Sequence, residues 1–190
     1  MAVEIDLCSC GAPAAAALDL AAEAGAQALE RLRATIRPEQ VEQAVDLLAG
    51  TEAIHIVGQR RAFAVAAYLA HALGQLGARA HLLTGTGGTT LHQANLIAPG
   101  HVVLAVSFAP HALETLAVAH EAQERGAPLI VLADGALGPL LPLARVAFEA
   151  DQPRWEGFGS LSAAMCLASA LALGMDHRRR RNPCLVLRNI

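Results

Sequence analysis

Aromatic residues are scarce in this chain: they make up 3% of its 190 residues, against 54% for hydrophobic residues as a whole. A core of stacked rings is excluded, so the interior must be built from Ala, Leu and Val. Charge is thin as well, at 16%, and a net charge of −3 argues against a surface devoted to nucleic acid. The four cysteines (Cys8, Cys10, Cys166, Cys184) lack paired metal-ligand spacing, and Cys8 and Cys10 stand too close for a C-x-x-C pair. Free thiols and a reducing compartment are expected. No metal site and no cofactor is expected either. Thr84–Thr90 (TGTGGTT) is rich in glycine, yet the chain has neither a Walker lysine nor G-x-G-x-x-G. A membrane role is also unexpected. The most apolar helical stretch, Leu161–Met175, falls short of the roughly 20 residues needed to span a bilayer. The acidic start (Glu4, Asp6) is unlike a secretory leader, so the expected location is cytoplasmic.

What the sequence does contain is organised around His101–Asp134. An apolar run, Val102–Val106, ends at Ser107. A helix-like segment, Pro110–Arg125, follows and stops at Gly126, and a second apolar run covers Leu129–Ala133. This is one βαβ unit, and strands apolar on successive residues are those covered on both faces. Ala53–Val57 and Ala80–Leu83 read as earlier strands around a helix Arg61–Leu76, and Val146–Glu149 reads as a fifth. Two helices precede the first strand. The second starts at Pro38, whose fixed φ suits a first helical turn. A short helix is read at Leu91–Ile97 and a long last one at Leu161–Met175, capped by Ser160.

These elements predict an α/β three-layer sandwich on a five-stranded parallel sheet, order 2-1-3-4-5 (flavodoxin-like), with N-terminal helices. The expected organisation is an N-terminal segment and helix over 1–34, the main domain over 35–177 and a basic tail over 178–190. In such a sheet ligands bind at the carboxyl ends of strands 1 and 3, beside the topological switch point. Those ends are Gly58–Ala62 and Ser107–Ala112.

At these loops the sequence resembles a sugar isomerase (SIS) domain, in particular the effector domain of RpiR-type transcriptional regulators. The residues that carry the resemblance are IHIVGQRRAFAVAAYLAHALGQLG (54–77), HVVLAVSFAPHALETLAVAHEAQERGAPLIVLAD (101–134) and GFGSLSAAMCLASALA (157–172). The resemblance implies a parallel-sheet sandwich, usually dimeric or tetrameric, that recognises phosphorylated sugars through Ser/Thr-rich loops. The departures are specific. Where the family often has G-x-G-S-S, this chain has Gly58, Gln59, Arg60, Arg61 and Ala62. Where it often has S-x-S-G-x-T, Ser107 is kept but Ala109, Pro110 and Ala112 replace Ser, Gly and Thr. Glu114 matches a carboxylate common in that motif.

Candidate ligand-binding residues are Gly58, Gln59, Arg60, Arg61, Thr84, Ser107, Ser160 and Ser162. Free N–H groups at Gly58–Ala62 suit an anion, and the two arginines suit a phosphate or carboxylate. The alternative is that one arginine is solvated and the other pairs with Glu156 or Asp151. Ser107 either donates to a ligand or caps the following helix. Thr84–Thr90 either lines a sugar pocket or simply connects. Catalytic candidates are Glu114, Glu156 and His111, the groups an isomerase needs to move a proton. The other histidines (His55, His71, His81, His92, His101, His120, His177) are scattered without metal-ligand spacing. Arg178–Arg181 either touches nucleic acid or is solvated.

The expected function is that of a ligand sensor of an RpiR-type regulator, taking a phosphorylated sugar or similar small anion. The expected assembly is a homo-oligomer, dimer or tetramer. The two helices before the first strand resemble a linker to the sensor and leave no room for a DNA-reading domain, so no DNA binding is expected of this chain alone. A phosphosugar aldose–ketose isomerase and a degenerate oligomerisation module are the alternatives.

Overall fold

The computed structural model describes residues 14–135, 138–151, 154–155 and 158–182. Two helices come first, α1 (Ala14–Thr35) and α2 (Pro38–Gly50). Strands β1 (Ile54–Val57), β2 (Ala80–Leu82), β3 (Val102–Ser107), β4 (Leu129–Ala133) and β5 (Val146–Glu149) alternate with helices α3 (Ala62–Gln75), α4 (Thr90–Ala94) and α5 (Leu113–Glu124). A two-stranded antiparallel ribbon, β6 (Arg154–Trp155) and β7 (Phe158–Gly159), leads into α6 (Ser162–Arg181).

The five long strands form one parallel sheet in the order β2-β1-β3-β4-β5, as the alternation of elements predicts. Ile54 pairs with Ala80 on one side and Val102 on the other, which places β1 and β3 at the centre. All residues of β1, β3 and β4 are buried, which is why Val102–Val106 and Leu129–Ala133 read as apolar runs and why β1 is apolar apart from His55. One face sends Ile54, Ile56, Leu104, Ile130, Leu132 and Phe148 against α1, α2, α3 and α6. The opposite face sends Val57, Val103, Ala105 and Val131 against α4 and α5, where Val118, Ala119 and Ala122 meet them.

Small residues let the helices approach closely. A Cβ on Gly174 of α6 would stand 2.7 Å from Val45 Cγ2 of α2, so the two helices almost touch at that point. Truncating a central side chain such as Leu104, fully buried in β3, costs roughly 2–5 kcal/mol in a core of this kind.

Two of the boundaries that differ from the sequence reading matter below. Helix α5 begins at Leu113 rather than Pro110, because 108–112 forms a separate loop held by contacts to neighbouring loops. Helix α6 runs on through Arg181. Its arginines are held there by partners. Arg178 pairs with Glu42 and Asp46 of α2, Arg179 donates to the Leu48 and Ala49 carbonyls in the last turn of α2, and Arg180 pairs with Asp176. The basic run therefore closes a helix–helix contact. No helix among the described residues is long and apolar enough to cross a membrane.

Candidate functional site

Strand β1 leads into a helix on one face of the sheet and β3 into a helix on the other. The divergence opens a crevice at the carboxyl edge. A cleft of about 390 Å³ lies there. Its polar wall is Gln59 from the loop after β1, with Thr84, Gly85, Gly88 and Thr90 from the segment after β2. Helix α5 supplies Leu113, Glu114 and Ala117, and Leu91 completes the apolar side.

Local chemistry holds the polar wall in place. Gly85 has φ +66°, and a Cβ there would stand 2.1 Å from Thr90 Oγ1, so only glycine lets the chain fold back onto that hydroxyl. The Gly85 N–H donates to Gln93 Oε1 at 3.1 Å. Gln59 Nε2 donates to the Thr84 carbonyl at 3.4 Å, tying the loops after β1 and β2 together. Thr84 and Thr86 hydroxyls lie 3.0 Å apart, and Thr89 Oγ1 donates to the Thr86 carbonyl.

An ionic knot joins the neighbouring loops. Asp134, the first residue after β4, keeps only 8% of its side chain exposed. Its Oδ2 accepts from Arg61 Nη2 at 2.6 Å and its two oxygens accept from the Ala109 N–H at 3.0 and 3.2 Å. The Arg61 guanidinium also lies 4.9 Å from the Phe108 ring centroid, a cation–π distance. Arg60, with φ 57°, donates to the Pro110 carbonyl at 3.2 Å. Ser107 Oγ and His111 Nδ1 lie 3.0 Å apart.

The predicted residues thus divide. Gln59, Thr84 and Glu114 line the cleft. Gly58 is packed against α3, where a Cβ would meet Ala62 O and Ala66 Cβ at 3.0 Å. Arg60 and Arg61 are engaged with Pro110 and Asp134. Asp151, one of the two carboxylates considered for them, pairs with Arg31 at 3.2 Å, and the other, Glu156, lies outside the described residues. Ser107 caps no helix, since α5 starts six residues later with Ala112 as its N-cap. Ser160 and Ser162 bond to each other at the start of α6, and neither is among the residues that line the cleft.

A second cluster, formed by His55, His81 and His101, sits on the α4/α5 face. His55 is buried in β1 and its Nε2 lies 2.9 Å from His101 Nδ1, which also accepts from the Ala98 N–H. Burial first, then the charges of His101 and His81, push the His55 imidazole down to about 4. Among the described residues no group of three His, Cys, Asp or Glu is arranged to hold a metal ion.

The SIS domain family matches residues 47–174, a stretch that holds the whole sheet and the cleft. The chain belongs to the SIS domain family. A comparison of the sequence with curated proteins gives no match. Among solved structures, this SIS domain is similar to the sugar isomerase domain of the RpiR transcription factor from Sphaerobacter thermophilus (24% identity, TM-score 0.82, covering 90% of this chain and 96% of that one). It is also similar to the Vibrio vulnificus NanR protein complexed with ManNAc-6P (20% identity, TM-score 0.77, 91% of this chain, 66% of that one). A third relative is phosphoheptose isomerase GmhA from Neisseria gonorrhoeae (18% identity, TM-score 0.67, 86% and 96%). At these identities the likeness is one of fold.

Sequence reading missed several parts of this SIS domain site. Leu91, Leu113 and Ala117 carried no chemical signal, being apolar residues in helical runs. Asp134 did carry one: a lone carboxylate directly after the apolar run LIVLA stands at a strand's carboxyl end, where ligands and loops meet.

Proposed function

We propose that this SIS domain is a carbohydrate-derivative sensor, the effector part of an RpiR-type regulator, and that its ligand sits in the cleft at the switch point. The observation that carries this reading is the cleft wall itself. An amide (Gln59), two hydroxyls (Thr84, Thr90) and a carboxylate (Glu114) converge across a volume suited to one sugar, facing Leu91, Leu113 and Ala117. Membership of the SIS domain family supports it, as do the fold neighbours, among them an RpiR sugar isomerase domain and the NanR protein complexed with ManNAc-6P. A sugar phosphate or similar small anion is the class that the RpiR resemblance implies. Exposed Leu91, Leu96 and Leu113 offer apolar surface beside the cleft, and a second copy seated there would couple occupancy to assembly.

An isomerase is the second reading, favoured by Glu114, whose carboxylate lines the cleft where a base would be needed. His111, its expected assistant, is turned to Ser107.

The test is a thermal-shift screen over paired sugars, each with and without its phosphate. A ligand at 100 times its Kd stabilises the fold by roughly 2.7 kcal/mol. The sensor reading expects a shift that Gln59→Ala and Thr90→Val abolish, without turnover of the ligand. Turnover lost in Glu114→Gln would establish the isomerase instead, and a flat panel would leave only an oligomerisation role.

A further inference from the structure

We infer that the ligand of the cleft carries an acylamino group, whose N–H is taken by Glu114 and whose acyl end is received by Leu91, Leu113 and Ala117. This inference rests on the reading that the cleft is the ligand site, and it names the class of sugar derivative preferred there.

A carboxylate and an apolar surface stand side by side on one short stretch of α5. The helix buries Thr115, Val118, Ala119 and Ala122, which leaves Leu113, Glu114 and Ala117 to line the cleft. Leu113 is 77% exposed, and Leu91, facing the same space from α4, is 54% exposed. Exposed leucines are ordinary on a protein surface when they stand alone. Here two of them share a recess with a hydrogen-bond acceptor. A ring that carries only hydroxyls can donate to Glu114, but it brings little apolar surface to the leucines. A free amine meets the carboxylate by charge and sets a strongly hydrated ammonium beside the same leucines. An acylamino group satisfies both, since its N–H donates to the carboxylate and its methyl or longer chain covers the leucines.

Ala117 sets the room for that chain. It follows Leu113 at the spacing that makes helix side chains neighbours, and both line the cleft. A methyl at 117 leaves space beside Leu113 that a larger side chain would fill. On the other wall Gln59, Thr84 and Thr90 remain for ring hydroxyls. The acyl contact is independent of where a phosphate of the same ligand is held. An acetyl methyl and the leucine surface beneath it remove about 55 Å² of apolar surface from water, which corresponds to about tenfold in affinity.

The experiment measures Kd by calorimetry on the full chain for three phosphate esters of one ring: the hexose, the amino sugar and its N-acetyl derivative, in the gluco, galacto and manno series. In the series that binds, the N-acetyl ester should bind at least about tenfold more tightly than the other two. Leu113→Asn and Ala117→Leu should each bring the ratio of N-acetyl to hexose affinity close to unity. Leu113 is exposed, so its variant folds even if the larger side chain at 117 is not tolerated. Leu96→Asn, at a leucine 66% exposed but outside the cleft lining, should keep the ratio. Equal binding of the three esters to the wild type overturns the acyl preference and leaves the cleft reading standing. Tightest binding of the amino ester overturns it too, because Glu114 would then hold an ammonium. A ratio that survives Leu113→Asn, with a changed oligomeric state, overturns it by giving that leucine to a second copy. Absence of binding by every ester overturns both readings.

Discussion

His55 Nε2 and His101 Nδ1 meet at 2.9 Å across the β1–β3 junction, with the His81 ring stacked 5.4 Å from that of His55 on the other side. His101 Nδ1 also accepts from the Ala98 N–H, so the proton in the shared bond belongs to His55. His55 is then the Nε2–H tautomer, and its buried Nδ1 has no hydrogen-bond partner. A proton added there would be a buried charge facing two further imidazoles.

Stability should therefore fall on acidification. The folded imidazole titrates at about 4, against 6.5 when unfolded, so the unfolded chain takes up the proton first. The contribution is complete above about pH 6.5 and is lost as pH falls toward 4, amounting to about 3 kcal/mol at most. Urea unfolding at pH 7.5 and pH 4.5 checks this in the wild type and His55→Leu. The variant should lose less stability between the two pH values. Equal losses in the two proteins would remove His55 from the account.

The two glycines of the cleft loop should respond differently to alanine. Both have positive φ, +66° at Gly85 and +70° at Gly87, so each change carries a backbone cost of about 1 kcal/mol. Only at Gly85 does the new Cβ collide with Thr90 Oγ1, while at Gly87 nothing lies within 4 Å. Gly85→Ala should cost about 1–3 kcal/mol more than Gly87→Ala and weaken any ligand of the cleft. Chemical denaturation of both variants decides the point, and equal losses would mean that the Thr90 contact does not matter.

Arg179 should be worth more than its neighbour Arg181. It reaches the Leu48 and Ala49 carbonyls in the last turn of α2, groups that a helix end leaves without partners, and it is half-buried in doing so. Arg179→Ala is expected to cost about 1–2 kcal/mol. Arg181→Ala, at the exposed end of α6, is expected to change stability by less than about 0.5 kcal/mol. Midpoints of guanidinium unfolding curves separate the two.

Strand alternation and run length made the sheet readable. Five apolar runs separated by helical segments leave few topologies, and β2-β1-β3-β4-β5 is the one observed. Gln59, Thr84 and Glu114 were reachable for the same reason, since they follow strand ends or open a helix. What escaped depends on pairing between distant segments. His55 and His81 share a register only once β1 lies beside β2, and nothing local links Arg61 to Asp134 across 73 positions. The start of α5 escaped because Pro110 looks like a first helical residue, whereas its carbonyl is engaged by Arg60. The end of α6 escaped because four consecutive arginines have no apolar period, and α2 supplies the partners that hold Arg178 and Arg179 in the helix.

The cleft is walled by glycine, threonine, leucine and alanine with one amide and one carboxylate, and no ring is among the lining residues. A sugar seated there has no indole or phenol beneath it, so intrinsic fluorescence is a poor reporter of occupancy. The methyl groups of Thr90, Leu91, Leu113 and Ala117 are the local probes. A methyl-labelled sample would register a ligand as displaced resonances from two walls at once, β2 to α4 on one side and α5 on the other.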